Sequence, residues 1–140
     1  RRINDGMGAY IAREVGARLQ APKARVLVLG LTFKENVPDL RNSRVVDIVS
    51  GLREMGHVVD VHDAHADREE AQQFFGIELL VSLDGAENYD AVIGAVRHHE
   101  YSELDAEKLT GLLAEGGLLA DIKGMWRGTE LPAAFRRWQL

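Results

Sequence analysis

The stretch from Val26 to Ser43 constrains the fold of this chain more than any other. It begins as the apolar run Val26–Leu29, breaks at Gly30, becomes polar, and ends at Asn42-Ser43, where a helical pattern starts. A buried strand, an irregular loop and a helix N-terminus, in that order, form the place where open parallel sheets bind ligands. The stretch therefore predicts a ligand site at the carboxyl edge of an α/β sheet.

Four side chains of this loop have the chemistry of a nucleotide site. Phe33 offers a flat apolar ring, Lys34 and Arg41 are cations, and Asp39 is an acid. This mixture suits a phosphorylated aromatic ligand, and the helix start at Ser43 also favours an anion. The alternatives are that both cations are solvated, that Phe33 belongs to the core, and that Asp39 orients the Arg41 guanidinium.

Strand and helix patterns alternate along the chain. The predicted strands are Arg25–Leu29, His57–Val61, Ile77–Val81, Asp90–Val96 and Leu118–Asp121. The predicted helices are Asn4–Gln20, a helix from the N-cap Ser43 to Gly56, Ala64–Phe75, and Asp105–Ala114 with Gly116-Gly117 at its end. Pro132 and the pair Phe135/Trp138 predict a short terminal helix or a tail packed on the body. The alternation predicts a three-layer α/β fold, a Rossmann-like open parallel sheet with helices on both faces.

The first predicted helix carries one apolar stripe. Its members recur every four residues: Ile3, Met7, Ile11, Val15 and Leu19. Such a stripe serves either ordinary core packing or, as the tail of a longer helix, a partner. The chain opens on Arg1-Arg2 without an initiator Met, which we interpret as a piece of a longer protein.

Composition excludes several classes of function. The chain has 140 residues, 46% apolar and 28% charged, which is enough to close one globular core. Its net charge of −5 argues against nucleic-acid binding, so an anion site must arise from local placement of cations. It has no cysteine, hence no disulfide, thiolate metal site or thiol nucleophile. No apolar run has the length of a membrane span, and no signal-peptide pattern opens the chain.

Three further motifs follow predicted strands. Lys123 is either a second anion ligand or a surface lysine. The stretch His62–Asp67 has the composition of a metal site, but nothing downstream in sequence clearly completes a set of three or four ligands, so we predict no metal there. His98-His99-Glu100 faces the ligand edge, where it either lines a pocket, caps a helix or packs as part of a loop. The segment Gly30–Lys34 matches neither the dinucleotide fingerprint nor a P-loop, so we expect the domain not to hold NAD by itself.

Three segments together resemble one protein family. The segment Gly30–Ser43 resembles the signature that opens the C-terminal domain of the UDP-glucose/GDP-mannose dehydrogenase family. Asn4–Gly8 is similar to the end of the central helix that precedes that domain, and Asp121–Gly124 is similar to a late substrate loop. The resemblance covers essentially the whole chain. It is greatest to the branch that oxidises UDP-N-acetylhexosamines for bacterial surface polysaccharides.

The resemblance implies a function for the whole enzyme. Such an enzyme oxidises C6 of a nucleotide sugar from alcohol to carboxylate with NAD, which an N-terminal Rossmann domain holds. A cysteine before the central helix forms a thio-intermediate. The resemblance also implies a cytoplasmic homodimer that pairs through the central helix, with residues 1–21 as the end of that helix. Residues 22–140 would then be the UDP-sugar-binding domain.

The resemblance also implies roles for single residues. Phe33 and Lys34 match a substrate-contacting pair, and Arg41 matches a residue that reaches NAD across the cleft. Lys123 stands where some members carry a substrate-binding arginine, and a lysine is a point charge rather than a bidentate fork. The NAD fingerprint and the cysteine are missing here, so we expect no catalytic residue and no dehydrogenase activity in this chain alone. The competing interpretation is a non-enzymatic nucleotide-binding or dimerisation domain.

Overall fold

The computed structural model describes residues 6–140, which form one five-stranded sheet flanked by helices. All strands are parallel, in the order β2-β1-β3-β4-β5. The strands are β1 (Arg25–Leu29), β2 (Val58–His62), β3 (Tyr89–Gly94), β4 (Leu113–Asp121) and β5 (Arg136–Gln139). Because all strands run the same way, the loops that follow β1, β2, β3 and β4 meet at one edge of the sheet.

Helices cover both faces of the sheet, as the alternation predicts. They are α1 (Met7–Arg18), α2 (Val45–Glu54), α3 (Arg68–Phe75), α4 (His99–Ser102) and α5 (Ala106–Leu112). Within residues 6–140, none of these helices has the length and apolar character needed to cross a bilayer. The predicted three-layer α/β class is therefore confirmed.

The two faces of β1 belong to two separate cores. Val26 and Val28 pack in a cluster with side chains of α1, α2 and α3, while Leu27 and Leu29 pack in a second cluster with Tyr101, Leu109 and Trp126. Alternate residues of a strand point to opposite faces, so a strand buried on both sides reads as a continuous apolar run. This explains why residues 26–29 of β1 are all apolar, whereas Arg25 at its start is exposed.

The apolar stripe of α1 packs within its own chain. Ile11 and Val15 are fully buried, and Met7 and Leu19 pack against the same core, whereas Ile3 lies outside the described residues. Small residues bring α1 close to α2. A Cβ built on Gly8 would lie 2.6 Å from Asp47 Cβ, and one on Gly51 would lie 2.7 Å from Ala12 Cβ. Of the two uses that the sequence left open for this stripe, the structure shows core packing.

One predicted strand, and one of the two alternatives predicted for the C-terminal segment, are wrong in type. The strand predicted at Ile77–Val81 is a single bridge between Val61 and Leu79, because the chain turns away from the sheet and leaves Val81 76% exposed. The terminal helix is instead β5, which pairs with β4 from Leu118↔Arg136 to Asp121↔Gln139. Trp138, on this strand, packs against the core. The alternative expectation, a tail packed on the body, describes this segment better.

The glycine pair at residues 116–117 does not end a helix. Helix α5 ends at Leu112, and β4 begins at the next residue. The register between β3 and β4 shifts between Tyr89 and Ala91, and Gly116 has φ 76°, a left-handed conformation that favours glycine. The pair therefore lies in the irregular part of β4, where the register against β3 shifts, and not at a helix end.

Candidate functional site

A cleft of about 390 Å³ opens where the loops after β1, β3 and β4 meet. The loop after β1 contributes Thr32–Glu35, α2 and the residue before it contribute Arg44 and Val45, the loop after β3 contributes residues 95–97, and the loop after β4 contributes Lys123. Phe33, Lys34 and Lys123 come from two separate loops and line this one cleft. The structure thus brings three of the four predicted site residues together.

Positive charge dominates the cleft. Its charged lining residues are four cations and one carboxylate: Lys34, Arg44, Arg97, Lys123 and Glu35. Phe33 adds an aromatic ring that is half-buried, beside the two lysines. A chain with net charge −5 therefore gathers cations at this edge, which is the local placement that an anionic aromatic ligand requires.

Backbone and hydroxyl contacts hold the loop after β1 in shape. The Phe33 amide donates to the Asp39 carbonyl at 2.8 Å and closes the loop. Ser43 Oγ donates to the Leu31 carbonyl at 2.5 Å and is buried. The prediction of Ser43 as the N-cap of α2 is therefore wrong: Arg44 precedes the helix, and the Ser43 hydroxyl ties the loop to the end of β1 instead.

Gly30 lies at the point where β1 becomes the loop. Its φ is 103°, and an added Cβ would lie 2.5 Å from Val96 Cβ. The Val96 amide in turn donates to the Leu29 carbonyl at 3.3 Å. A side chain at Gly30 is excluded both by the backbone conformation and by the loop after β3.

Asp63 is a buried anchor beneath the cleft loop. Its Oδ2 accepts from the amides of Leu31 and Thr32 at 2.6 and 3.0 Å, and its Oδ1 accepts from the amides of His65 and Ala66, both at 2.8 Å. Burial alone would raise the pKa of Asp63, but hydrogen bonds, first that from His98, bring the pKa of this carboxyl well below its usual range. Asp63 is therefore a carboxylate that fixes the loops after β1 and β2.

His98 joins the loop after β3 to the same anchor. Its Nδ1 accepts from the Asn36 amide at 2.8 Å, so the ring proton is on Nε2. Nε2 lies 3.0 Å from Asp63 Oδ2 and 3.1 Å from Thr32 Oγ1, and Thr32 Oγ1 donates to the Lys34 carbonyl at 2.8 Å. His98 is fully buried and does not line the cleft; its ring binds the loops after β1 and β2 instead.

Arg41 lies outside the cleft. Its Nε and Nη2 donate to the two carboxylate oxygens of Asp39 at 3.0 and 3.1 Å, with 79% of the Arg41 side chain exposed. This hydrogen bonding lowers the pKa of Asp39 and raises that of Arg41. Asp39 orients the guanidinium, as one of the sequence alternatives states, and Arg41 faces solvent.

Asp121 positions the loop that carries Lys123. The carboxylate is buried and accepts from the amides of Met125 and Trp126 at 3.0 and 2.9 Å. Trp126 is fully buried, and its Nε1 donates to the Tyr101 carbonyl at 2.8 Å. Lys123 therefore extends from a tight turn that is anchored at both ends.

Sequence reasoning missed Arg44 and Arg97. Arg97 is the third residue after β3 and directly precedes His98 and His99, the residues that the sequence-based prediction considered. Arg44 stands at the start of α2, where a basic residue is no anion signal by itself. A rule that marks every cation within three residues of a predicted strand end would have found Arg97.

The two histidine-containing segments meet beside the cleft. His65, from the loop after β2, lies with its Nε2 2.9 Å from Glu100 Oε1, and His99 Nδ1 lies 3.3 Å from the same oxygen. The sequence alone indicates no downstream partner for the His62–Asp67 stretch. The fold supplies one from the loop after β3.

The domain has close relatives among known proteins. Residues 27–128 match the UDP binding domain of the UDP-glucose/GDP-mannose dehydrogenase family. The chain belongs to this family. The recognition made from the Gly30–Ser43 signature is thereby confirmed, and the chain corresponds to the UDP-binding part of such a protein.

Two curated relatives give the extent of the likeness. Protein CapL of Staphylococcus aureus is 42% identical over 145 aligned positions, covering 100% of this chain and 34% of that protein. The UDP-N-acetyl-D-glucosamine 6-dehydrogenase of Pseudomonas aeruginosa is 43% identical over 128 positions, covering 88% of this chain and 30% of that protein. The chain thus spans about a third of the length of these relatives.

A solved structure has the same fold. The UDP-N-acetyl-mannosamine dehydrogenase Cap5O of Staphylococcus aureus superposes with a TM-score of 0.75 over 97% of this chain and 31% of that one, at 18% identity. At this identity the likeness concerns the fold alone.

Proposed function

We propose that this chain supplies the UDP-binding half of the active site of a nucleotide-sugar 6-dehydrogenase. The observation that carries the proposal is the cleft in which Phe33, Lys34 and Lys123 converge with Arg97 at the carboxyl edge of a UDP-binding domain. The full-length protein would oxidise the C6 alcohol of a UDP-N-acetylhexosamine. The name of the relative from Pseudomonas aeruginosa supports this substrate class.

Different cleft residues bind different parts of the ligand. Lys34 and Lys123, with Arg97, pair with the two phosphates, since ammonium and guanidinium groups form charge-assisted hydrogen bonds to phosphate oxygens. The Phe33 ring provides an apolar face for the uridine part. Lys123 acts as a point charge, whereas the planar guanidinium of Arg97 can select the orientation of the phosphate oxygens.

We expect this chain not to hold NAD in the usual way by itself. In a dinucleotide site the pyrophosphate lies on a helix N-terminus that follows the first strand after a tight glycine turn. Here α2 begins at Val45, and the intervening loop carries Phe33 and Lys34. We propose that NAD is held by another domain of the full-length protein and that Arg41, oriented by Asp39 and exposed, contacts it across the domain cleft.

The reaction of the full-length protein would consume one water and two NAD per sugar, with hydride passing to each NAD as alcohol becomes carboxylate. The catalytic groups, including the cysteine, would lie in another part of the full-length protein, since this chain has no cysteine. We propose that residues 1–21 are the end of a central helix, that residues 22–140 form the UDP-sugar-binding domain, and that the protein is a cytoplasmic homodimer. Since Ile11 and Val15 are buried in this chain, a second subunit would contact another face of α1, on which Tyr10 is exposed.

Steady-state kinetics of the full-length protein test the proposal. With UDP-N-acetylglucosamine and NAD, Lys34→Ala should lower kcat/KM for the sugar nucleotide, mainly through KM, because the lysine contacts a part of the substrate that does not react. Lys23→Ala is the matched control, since Lys23 precedes β1 and lies at the opposite edge of the sheet. Unchanged kinetics in Lys34→Ala, or an equal loss in both variants, would contradict the proposed site.

A further inference from the structure

Two loops bring three metal-binding side chains to one point beside the cleft. His65 follows β2, and His99 and Glu100 begin α4 after β3. One ligand atom from each lies within 4.8 Å of the other two. None of the three lines the UDP cleft, so they are available for a separate role.

The distances between the donor atoms suit a shared metal ion. Zinc bonds to imidazole nitrogen and carboxylate oxygen are about 2.0–2.2 Å, which places two ligand atoms of a tetrahedron about 3.4 Å apart. Glu100 Oε1 lies 2.9 Å from His65 Nε2 and 3.3 Å from His99 Nδ1. These two distances are close to that spacing, and all three donor atoms lie within 4.8 Å of one another.

A fourth oxygen stands next to the cluster. Asn36 Oδ1, from the loop after β1, lies 3.3 Å from His99 Nδ1 and accepts from the His99 amide at 2.9 Å. Its carbonyl oxygen has a second lone pair for a metal or a metal-bound water. Two imidazoles, a carboxylate and one such oxygen form a donor set that suits zinc and its neighbours copper and nickel.

The surrounding contacts hold the ligands in place before any metal binds. The His65 amide is bound by Asp63 Oδ1, and the His65 ring packs on the ring of buried His98 with 4.5 Å between centroids. Metal sites depend on such supporting partners, which fix the orientation of each ligand. The cluster is therefore built on the same buried anchor as the cleft loop.

We propose that His65, His99 and Glu100 form a binding site for one divalent metal ion of the zinc class. The ion would cross-link the loops after β2 and β3 and, through Asn36, the loop that carries Phe33 and Lys34. The proposal departs from the sequence-based prediction of no metal, which depended on the lack of convergent partners.

Metal titration of the tag-free chain tests the site. After chelator treatment, Zn²⁺ binding is measured by calorimetry at neutral pH, and Co²⁺ binding by its visible absorption, which is intense for four-coordinate ions. We expect one equivalent of either ion and a rise in the thermal midpoint. Glu100→Gln and His99→Gln should each weaken binding by at least about tenfold, the scale seen on loss of even a supporting partner.

Glu103→Gln is the matched control, since Glu103 is an exposed carboxylate three residues beyond Glu100. It should bind Zn²⁺ as the unsubstituted chain does. Both ligand variants change exposed or half-exposed side chains, and circular dichroism without metal checks that they fold. Binding equally weak in all four proteins, no binding in any, or an undiminished affinity in Glu100→Gln would overturn the proposal. Because the readout uses no nucleotide, its outcome is independent of the UDP site.

Discussion

Asp63 and His98 lie in hydrogen-bond contact, with 3.0 Å between Oδ2 and Nε2, and both side chains are fully buried. The pair joins the ends of β2 and β3 beneath the loop that carries Phe33 and Lys34. Asp63 accepts five hydrogen bonds in all, four of them from backbone amides. The shape of the cleft loop thus depends on a carboxylate that does not itself line the cleft.

Replacing this carboxylate should unfold much of the loop framework. We expect Asp63→Asn to lower the free energy of unfolding by about 3–5 kcal/mol, because an amide offers only one acceptor oxygen and buried donors lose their partners. Urea denaturation followed by circular dichroism measures the change. Asp84→Asn, at an exposed carboxylate, should stay within about 0.5 kcal/mol of the unsubstituted chain. An equally small effect at Asp63 would contradict its role as anchor.

The contact between α1 and α2 should tolerate no larger residue at Gly8. An added Cβ would lie 2.6 Å from Asp47 Cβ and 2.9 Å from the Arg44 carbonyl oxygen, so Gly8→Ala should destabilise by about 1–3 kcal/mol. Gly111→Ala is the control, because Gly111 lies in α5 with no atom within 4 Å of the added Cβ. It should stabilise by about 0.5–1 kcal/mol. Equal midpoints for the two variants in urea would show that α1 does not pack closely here.

Arg97 should contribute to nucleotide affinity although the sequence did not single it out. It lines the cleft opposite the Phe33–Lys34 loop, and loss of one charge-assisted hydrogen bond costs about 1.5–3 kcal/mol. We therefore expect Arg97→Ala to weaken UDP binding about tenfold or more in calorimetry. Lys23→Ala should leave the affinity unchanged. If Arg97→Ala binds UDP normally, the phosphates lie elsewhere in the cleft.

The hydroxyl of Tyr89 should lose its proton at a higher pH than an exposed tyrosine does. It is 3% exposed, and its hydroxyl donates to Asp60 Oδ2 at 2.6 Å. Burial and the Asp60 carboxylate raise the pKa of Tyr89 to about 12, above the value of about 10 in an unfolded chain. Its contribution to stability is complete below the unfolded pKa and is lost as pH rises towards 12. Burial raises the pKa of Tyr101 further still, so Tyr89→Phe should diminish the tyrosinate absorbance that develops near pH 12 without abolishing all late titration. A variant with an unchanged curve would contradict this.

Much of the fold follows from local pattern. The alternation of apolar runs with helical patterns is enough to predict the parallel sheet. The strands β1 and β3 are buried on both faces, and most of their residues are therefore apolar. The strand β5 could not be predicted, since Arg136-Arg137-Trp138-Gln139 lacks β-branched residues. It becomes a strand only because β4 offers an open edge, which is a tertiary effect.

The site was predictable to the extent that it lies on one contiguous motif. Phe33 and Lys34 follow from the Gly30–Ser43 signature, and Lys123 from a second strand end. Arg97 depends on β1 and β3 being neighbours in the sheet, which strand alternation alone does not determine. The same holds for His65 and Glu100, which approach each other only once β2 and β3 flank β1.

A nuclear magnetic resonance titration of the chain with UDP measures directly whether the nucleotide binds in the cleft lined by Phe33, Lys34 and Lys123. We expect amide shifts at Thr32–Glu35, Arg97 and Lys123, which saturate together and disappear from the Lys34→Ala spectrum. Shifts confined to the opposite edge of the sheet, around Lys23, or to the His65–Glu100 cluster would contradict this expectation.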